Sequence, residues 1–377
     1  MLKVRHLRER IRSKRGQPLT ATLDGCRRLL EEAESCDDVA EQIALLDMLS
    51  HTQVRMGDLE AAQQMSRRSL ALAEAKGDQH GLADALIRLG HTLLERDPAE
   101  ARGCYERAMQ LFGSLGDLHG QARSSINLGI AHSLLGAAEA SRRSYEKGNE
   151  LAKRLHAPDM VALAALNLGV LHMKLGEHAE AEQRFAEAMH GFRTVKNEYH
   201  RVAALYNLAN LARERGDHDQ AVSFYDETIA AAAALGHSDM EIGAYGGRGL
   251  ANLARGRPNE ARECLGAARQ RAESHSNWWF QGRELVVALE VRLQLADGYR
   301  DDAEAFLLDS LAAADLHDPY GAAWLVAEVW DTMREAGSQQ IAPLVARYET
   351  VARTRGFRAL AARFESAGRD SVQRPAA

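Results

Sequence analysis

The sequence predicts an all-α chain of about nine stacked helical hairpins, finished by a C-terminal capping helix. Three observations carry that prediction. Ala, Leu, Glu and Arg dominate the 377 residues, and all four are good helix formers. Runs of β-branched residues are nearly absent, so strands have little to draw on. Glycines recur at one pitch, at Gly16, Gly57, Gly136, Gly176, Gly216, Gly256, Gly298 and Gly337, with Asp97 in the open slot and steps of 39 to 42 residues. A second series, Gly77, Gly116, Asn197, Gly236 and Gly356, falls between them. Two punctuators per period, each suited to a helix C-terminus, give two helices per unit.

The units follow in order. Residues 1–37 form a basic cap unit whose first helix, "MLKVRHLRERIRSKRG", has Val4, Leu7 and Ile11 at helical spacing. Eight repeats occupy 38–77, 78–117, 118–157, 158–197, 198–237, 238–277, 278–317 and 318–357. Residues 358–368 carry Leu360, Ala361 and Phe364 on one face and make the capping helix. Residues 369–377 are expected as a disordered tail, leaving 1–368 as a single solenoid. Within a unit the apolar residues keep the helical period, as Leu163, Leu166, Val170 and Met173 do. The second helices repeat a small residue and an aromatic: Ala101 and Tyr105, Ala181 and Phe185, Ala221 and Tyr225. A lone hairpin of this size cannot bury its faces, whereas stacked hairpins cover one another.

These residues resemble the tetratricopeptide repeat. Its leucine-glycine slot reads Leu89-Gly90, Leu128-Gly129, Leu168-Gly169, Leu208-Ala209 and Arg248-Gly249. Its small residue on the second helix reads Ala101, Ala140, Ala181, Ala221 and Ala261. The family's boundary proline is mostly missing, and the period is nearer 40 than 34 residues. Such long units are similar to those of kinesin light chain, of peptide-sensing regulators of Gram-positive bacteria, and of the sensor arms of signal-transduction ATPases. The resemblance implies a right-handed superhelix whose first helices line a concave groove. It also implies a protein or extended peptide as the ligand in that groove.

Composition and motifs narrow the chemistry. The formal charge is −6, so nucleic acid is not expected as a partner except through residues 1–15. That stretch carries seven basic side chains against Glu9 alone, a net of +6, which leaves −12 for the remainder. Cys26, Cys36, Cys104 and Cys264 are widely spaced and form no CxxC, which fits a reducing compartment. No stretch approaches the ~18 apolar residues of a membrane span, and a cytoplasmic location is expected. His132 and His172 share a slot that the family fills with a packing aromatic, with no ligand spacing around them. No nucleophile elbow, Walker loop or dinucleotide pattern appears, so no enzyme, metal or cofactor is expected. "GAYGGRGLANLARG" (243–256) falls on a first helix, where Gly246, Gly247 and Gly249 would weaken it into a local hinge.

The candidate site is a row of amides. The residue before each leucine-glycine pair reads Arg88, Asn127, Asn167, Asn207 and Gly247. If leucine and glycine face the partner helix, this position faces the groove. An asparagine amide both donates and accepts, so such a row can hold the main chain of an extended peptide. The resemblance implies the same, since the family uses this slot to clamp a bound peptide. Arg123, Asn210, Lys174 and Arg213 lie near the row along the same helices, and Arg123 suits an acidic ligand. A secondary aromatic patch is expected at Trp278 and Trp279, while "WLVAEVW" (324–330) reads as enlarged core. The expected function is a non-enzymatic protein- or peptide-binding scaffold. The alternative is a sensor arm that binds a peptide signal and controls a transcription factor, kinase or protease. The sequence leaves the oligomeric state open, and whether the chain is a complete protein or one arm of a larger one.

Overall fold

The computed structural model describes residues 19–56, 58–94, 96–273, 282–314 and 319–373. Residues 1–15 and the Trp278–Trp279 pair lie outside them. The described residues form eighteen α-helices and no strand. None of those helices is long and apolar enough to cross a membrane.

Helix ends are set by local chemistry that recurs with the period. Asp38, Asp58, Asp78, Asp97 and Asn197 each accept the backbone N–H three residues on, satisfying a donor that the first turn leaves unpaired. At the other ends Gly77, Gly136, Gly176, Gly236 and Gly356 take the left-handed conformation. In the slot read as Asn197 the division of labour differs. Lys196 makes the left-handed turn, at φ 55°, and Asn197 starts the next helix.

The chain divides into two compact units, residues 1–131 and 132–377, where the sequence reading expects one solenoid. In the first unit α1 (Leu19–Ser35), α2 (Val39–Arg55), α3 (Leu59–Lys76), α4 (Gln79–Leu93) and α5 (Pro98–Ser114) each pack on the next. Helix α6 (Leu118–Leu134) follows them. Leu45, Leu46 and Leu49 are buried with Leu23 and Cys26, and Leu86 and Leu89 with Tyr105 and Phe112. Burying each large side chain stabilises by about 1.5–3 kcal/mol.

The second unit contains α7 (Ala138–Arg154), α8 (Pro158–Leu175), α9 (His178–Thr194), α10 (Glu198–Glu214), α11 (His218–Leu235) and α12 (Ser238–Ala254). It continues with α13 (Pro258–Glu273), α14 (Arg283–Ala296), α15 (Arg300–Ala314), α16 (Pro319–Glu335), α17 (Ile341–Thr354) and α18 (Arg358–Gln373). The last helix therefore runs beyond residue 368, into the stretch expected as a tail.

Hairpin stacking alone would give a row of nearest neighbours with two open ends. Here the row closes. Helix α8 packs on α10, α10 on α12, α12 on α14, α14 on α16, α16 on α18, and α18 back on α8. Leu360 and Phe364 of α18 are buried, and the turn at Gly136 meets the turn at Arg355 so closely that a Cβ on Gly136 would overlap the Arg355 carbonyl. This self-packing of the second unit is the physical reason for the division: its C-terminal helices spend their apolar faces on its own early helices.

The repeat's small positions are used as contacts. A Cβ on Gly169 would stand 2.5 Å from the Phe185 ring, so glycine there lets α9 lie against α8. The expected hinge in α12 is not what its glycines make. Helix α12 is continuous from Ser238 to Ala254, and Gly247 and Gly249 leave room for the Tyr225 ring and the Leu289 side chain. Missing side chains here buy close packing against α11 and α14.

Candidate functional site

The expected amide row divides by surroundings. In the first unit Arg88 pairs with Asp47 at 2.6 Å, and Arg123 pairs with Asp84 and lies 5.5 Å over the Phe112 ring. Both guanidinium groups thus have anionic partners within the unit. Asn127 is buried, and its Nδ2 has no hydrogen-bond partner. His91 is its neighbour: desolvation pushes the imidazole pKa down, opposed by a hydrogen bond with Asn127.

In the second unit Asn167 and Asn207 donate their side-chain N–H groups to the carbonyls of Leu163 and Ala203, one turn back in their own helices, at 2.9 and 2.8 Å. Asn207 is buried, Asn167 half-buried. Asn210 accepts a hydrogen bond from the Tyr225 hydroxyl at 2.6 Å. Lys174 lies 4.7 Å over the Tyr320 ring and Arg213 lies 5.1 Å over the Trp324 ring. The structure therefore brings Lys174, Asn210 and Arg213 together against α16, a helix that the sequence reading does not connect with them.

Inside the closed row of helices is a cavity of about 540 Å³. Its wall includes Arg213 and Glu214 from α10, Leu250 and Ala254 from α12, and Arg292 from α14. Tyr320, Trp324 and Glu328 of α16 and Leu360 and Arg363 of α18 complete it, with His178 and His218 at the starts of α9 and α11. At its centre of charge is Glu328, buried and facing three guanidinium groups. Arg363 is 3.1 Å from one of its oxygens, and Arg292 and Arg213 are 3.4 and 3.6 Å from the other. Arg292 also donates to the Glu328 main-chain carbonyl at 2.8 Å.

Burial alone would raise the Glu328 pKa, but Arg213, Arg292 and Arg363 overcome it and hold the carboxyl below the usual carboxylate range. Glu214 goes the other way. Burial pushes its pKa up, against the pull of Arg213, Arg363 and His178, and the charge of Glu328 adds to the rise. Three fixed positive charges thus face one firmly ionised carboxylate and one that resists ionisation.

Residues 41–112 and 160–234 match the family model described as tetratricopeptide repeat. Those two stretches carry tetratricopeptide repeats. No curated protein matches the chain. Among solved structures the fold is similar to a Rap protein complexed with Competence and Sporulation Factor, at 18% identity and TM-score 0.58, covering 83% of this chain and 81% of that one. It is similar to the Rap conjugation gene regulator of the plasmid pLS20 in complex with the Phr* peptide, at 13% identity and TM-score 0.64, covering 94% of each. Aspartyl phosphate phosphatase F from Bacillus subtilis is a third, at 13% identity and TM-score 0.56, covering 93% of this chain and 92% of that one. At these identities the likeness is one of fold.

The sequence reading reached the α8 and α10 side of the cavity and missed the rest. Glu328 is a charge set inside the apolar run "WLVAEVW", and that misplacement is the available signal, whereas Arg292 sits among the alternating polar and apolar residues of "EVRLQL" and carries none. Trp324 and Trp330 are both buried, in keeping with the core reading of that run, yet Trp324 also lines the cavity. His172 is buried with Nδ1 2.5 Å from a Glu177 oxygen, and Arg142 reaches the same carboxylate at 3.1 Å. Among the described residues no group of three or more His, Cys, Asp or Glu side chains is placed to hold a metal ion.

Proposed function

We propose that the chain is a peptide-binding regulatory module whose ligand seats in the cavity of the second unit. The observation that carries this reading is the closed row of inner helices around about 540 Å³ of polar and aromatic-walled space. That volume suits a few peptide residues. Of the candidate positions Arg213 lines the cavity, Asn210 lines a smaller recess beside it with Arg213, and Lys174 lies over the Tyr320 ring of its wall, with Asn167 and Asn207 on the same two helices, α8 and α10. Two proteins of similar fold are described in complex with Competence and Sporulation Factor and with the Phr* peptide, which is in keeping with a peptide here.

Regulation is favoured over passive scaffolding because α16 and α18 wall the cavity and also close the row. A ligand there touches the elements whose packing it must tolerate or change, which couples occupancy to closure. A random heptapeptide library selected on the full chain tests this. Enriched peptides should bind at least tenfold more weakly to Trp324→Ala and Lys174→Ala, and should slow hydrogen exchange in α18. Selected peptides that bind these variants as well as the parent would sink the assignment of the site. Unchanged exchange in α18 on saturation would sink the regulatory part.

A further inference from the structure

The second unit carries a further recess, which shares no lining residue with the cavity. It has a volume of about 510 Å³ and lies between the ends of α7 and α9, over the start of α8. Its apolar lining is Ala152, Ala157, Pro158, Val161, Ala162 and Gly191, with no side chain larger than valine. The repeat shows how it arises. Leu111 and Leu151 stand three residues before the ends of α5 and α7, and Gly191 takes that slot in α9. A Cβ on Gly191 would stand 2.7 Å from that of Ala162, so α9 closes on α8 with no side chain there to cover the space. The polar lining is Lys153, His156, Glu187, His190 and Thr194. Glu187 is tied to Arg184 at 2.9 Å, Thr194 donates to the His190 carbonyl at 3.0 Å, and His190 Nδ1 is 3.2 Å from an Arg193 nitrogen. The exposed side chains of Lys153 and His156 have no hydrogen-bond or ion-pair partner among the described residues. His156 holds φ 51° in a slot that is glycine at 116 and 236, which sets an imidazole where those units have no side chain. An aromatic ring edge-on to imidazoles suits this lining, and the chain already makes that contact elsewhere. The Tyr199 ring lies edge-on to His200 at 4.9 Å and to His237 at 4.4 Å.

The same unit presents such a ring to solvent. Tyr299, at 60%, is the most exposed large apolar side chain among the described residues. It stands in the turn between α14 and α15, shortly before Asp301 and Asp302. Asp301 pairs with Arg300 at 2.9 Å, while the exposed Asp302 has no ion-pair partner among the described residues. This turn is three hairpins along from α8 and α9, and neither α14 nor α15 packs on α7, α8 or α9. A chain therefore cannot fill its own recess. We infer that Tyr299 of one copy enters the recess of a second copy, its ring between His156 and His190 and its Asp302 against Lys153. The two surfaces are different parts of the molecule, so the contact is heterologous and copies add head to tail. Each contact is small, which makes the association weak and dependent on concentration.

Sedimentation velocity of the full chain from about 5 to about 200 μM tests this, a range suited to a small contact. The mean mass should rise across that range. Tyr299→Ala and Lys153→Glu, both at exposed positions, should each weaken association at least about tenfold. Adding Asp302→Lys to Lys153→Glu should restore it to within about threefold of the parent, because the pair is then present with its charges exchanged. An equimolar mixture of Tyr299→Ala chains and Lys153→Glu chains should form dimers and nothing longer, since each supplies the surface that the other lacks. A parent that stays monomeric at about 200 μM overturns the inference, as does association that either single variant leaves unchanged. A mixture that stays monomeric while the parent associates overturns the pairing of these two surfaces. Binding of N-acetyl-tyrosinamide at the recess of a parent that never associates would assign the recess to another aromatic ligand and overturn the second copy as its occupant.

Discussion

Asn127, Asn167 and Asn207 occupy one slot of the repeat and do different things. Asn167 and Asn207 bond carbonyls of their own helices, so replacing both by alanine removes two local bonds and supplies a better helix former. The urea midpoint of the double variant should change by less than the equivalent of about 0.5 kcal/mol. Asn127 is buried and hydrogen-bonds the exposed His91 imidazole, so Asn127→Ala should cost about 0.5–1.5 kcal/mol, the net worth of one hydrogen bond. The same histidine gives a pH dependence. Its folded pKa lies below the 6.5 of an unperturbed imidazole, first through desolvation and then through the charges of Arg123, Arg88 and His51, while Asn127 opposes the shift. The unfolded chain therefore takes up the proton first as pH falls. The stabilisation is complete above 6.5 and is lost as pH falls below it toward the folded pKa. His91→Gln should lose less stability than the parent between pH 7.5 and 5.5, measured by circular dichroism in urea. Equal losses would remove His91 as the source.

At the scale of the helix, the repeat is built on where a side chain is missing. Gly169 and Gly266 are both helical glycines of the second unit, in α8 and α13, yet their surroundings are opposite. A Cβ on Gly169 meets Phe185 at 2.5 Å, and one on Gly266 meets nothing within 4 Å. Gly169→Ala should thus destabilise by about 1–3 kcal/mol through overpacking. Gly266→Ala should stabilise by about 0.5–1 kcal/mol through helix propensity. All four tryptophans belong to the second unit, so fluorescence-monitored urea unfolding reads this pair directly. The glycine-rich stretch 243–256 follows the same logic. Its glycines look like weakness in one dimension and become contacts once Tyr225 and Leu289 lie against them.

The second unit as a whole is held by a contact that no hairpin can make alone, the return of α18 to α8. Gly136 sits in that closure with φ 73°, where a Cβ would overlap the Arg355 carbonyl. Gly136→Ala adds backbone strain of about 1–3 kcal/mol to that steric conflict. It should lower the fluorescence midpoint and speed hydrogen exchange in both α8 and the start of α18. Exchange across α4 and α5 of the first unit should not change. A uniform effect on all these helices would show that the closure is not the element disturbed.

The sequence by itself determined the secondary structure and its period. Left-handed glycines, leucine-glycine slots and alternating small and aromatic residues are local instructions, readable because each acts within one or two turns of its own helix. It also placed Lys174, Asn210 and Arg213 among the candidates, since their slots follow from that period. The closure of the second unit was beyond it, because packing α18 on α8 joins residues nearly two hundred positions apart. The convergence of Arg213, Arg292 and Arg363 on Glu328 was hidden for the same reason. Each reads in sequence as one charge among many, and only the returning helices gather them around one buried carboxylate, which turns ordinary side chains into a site.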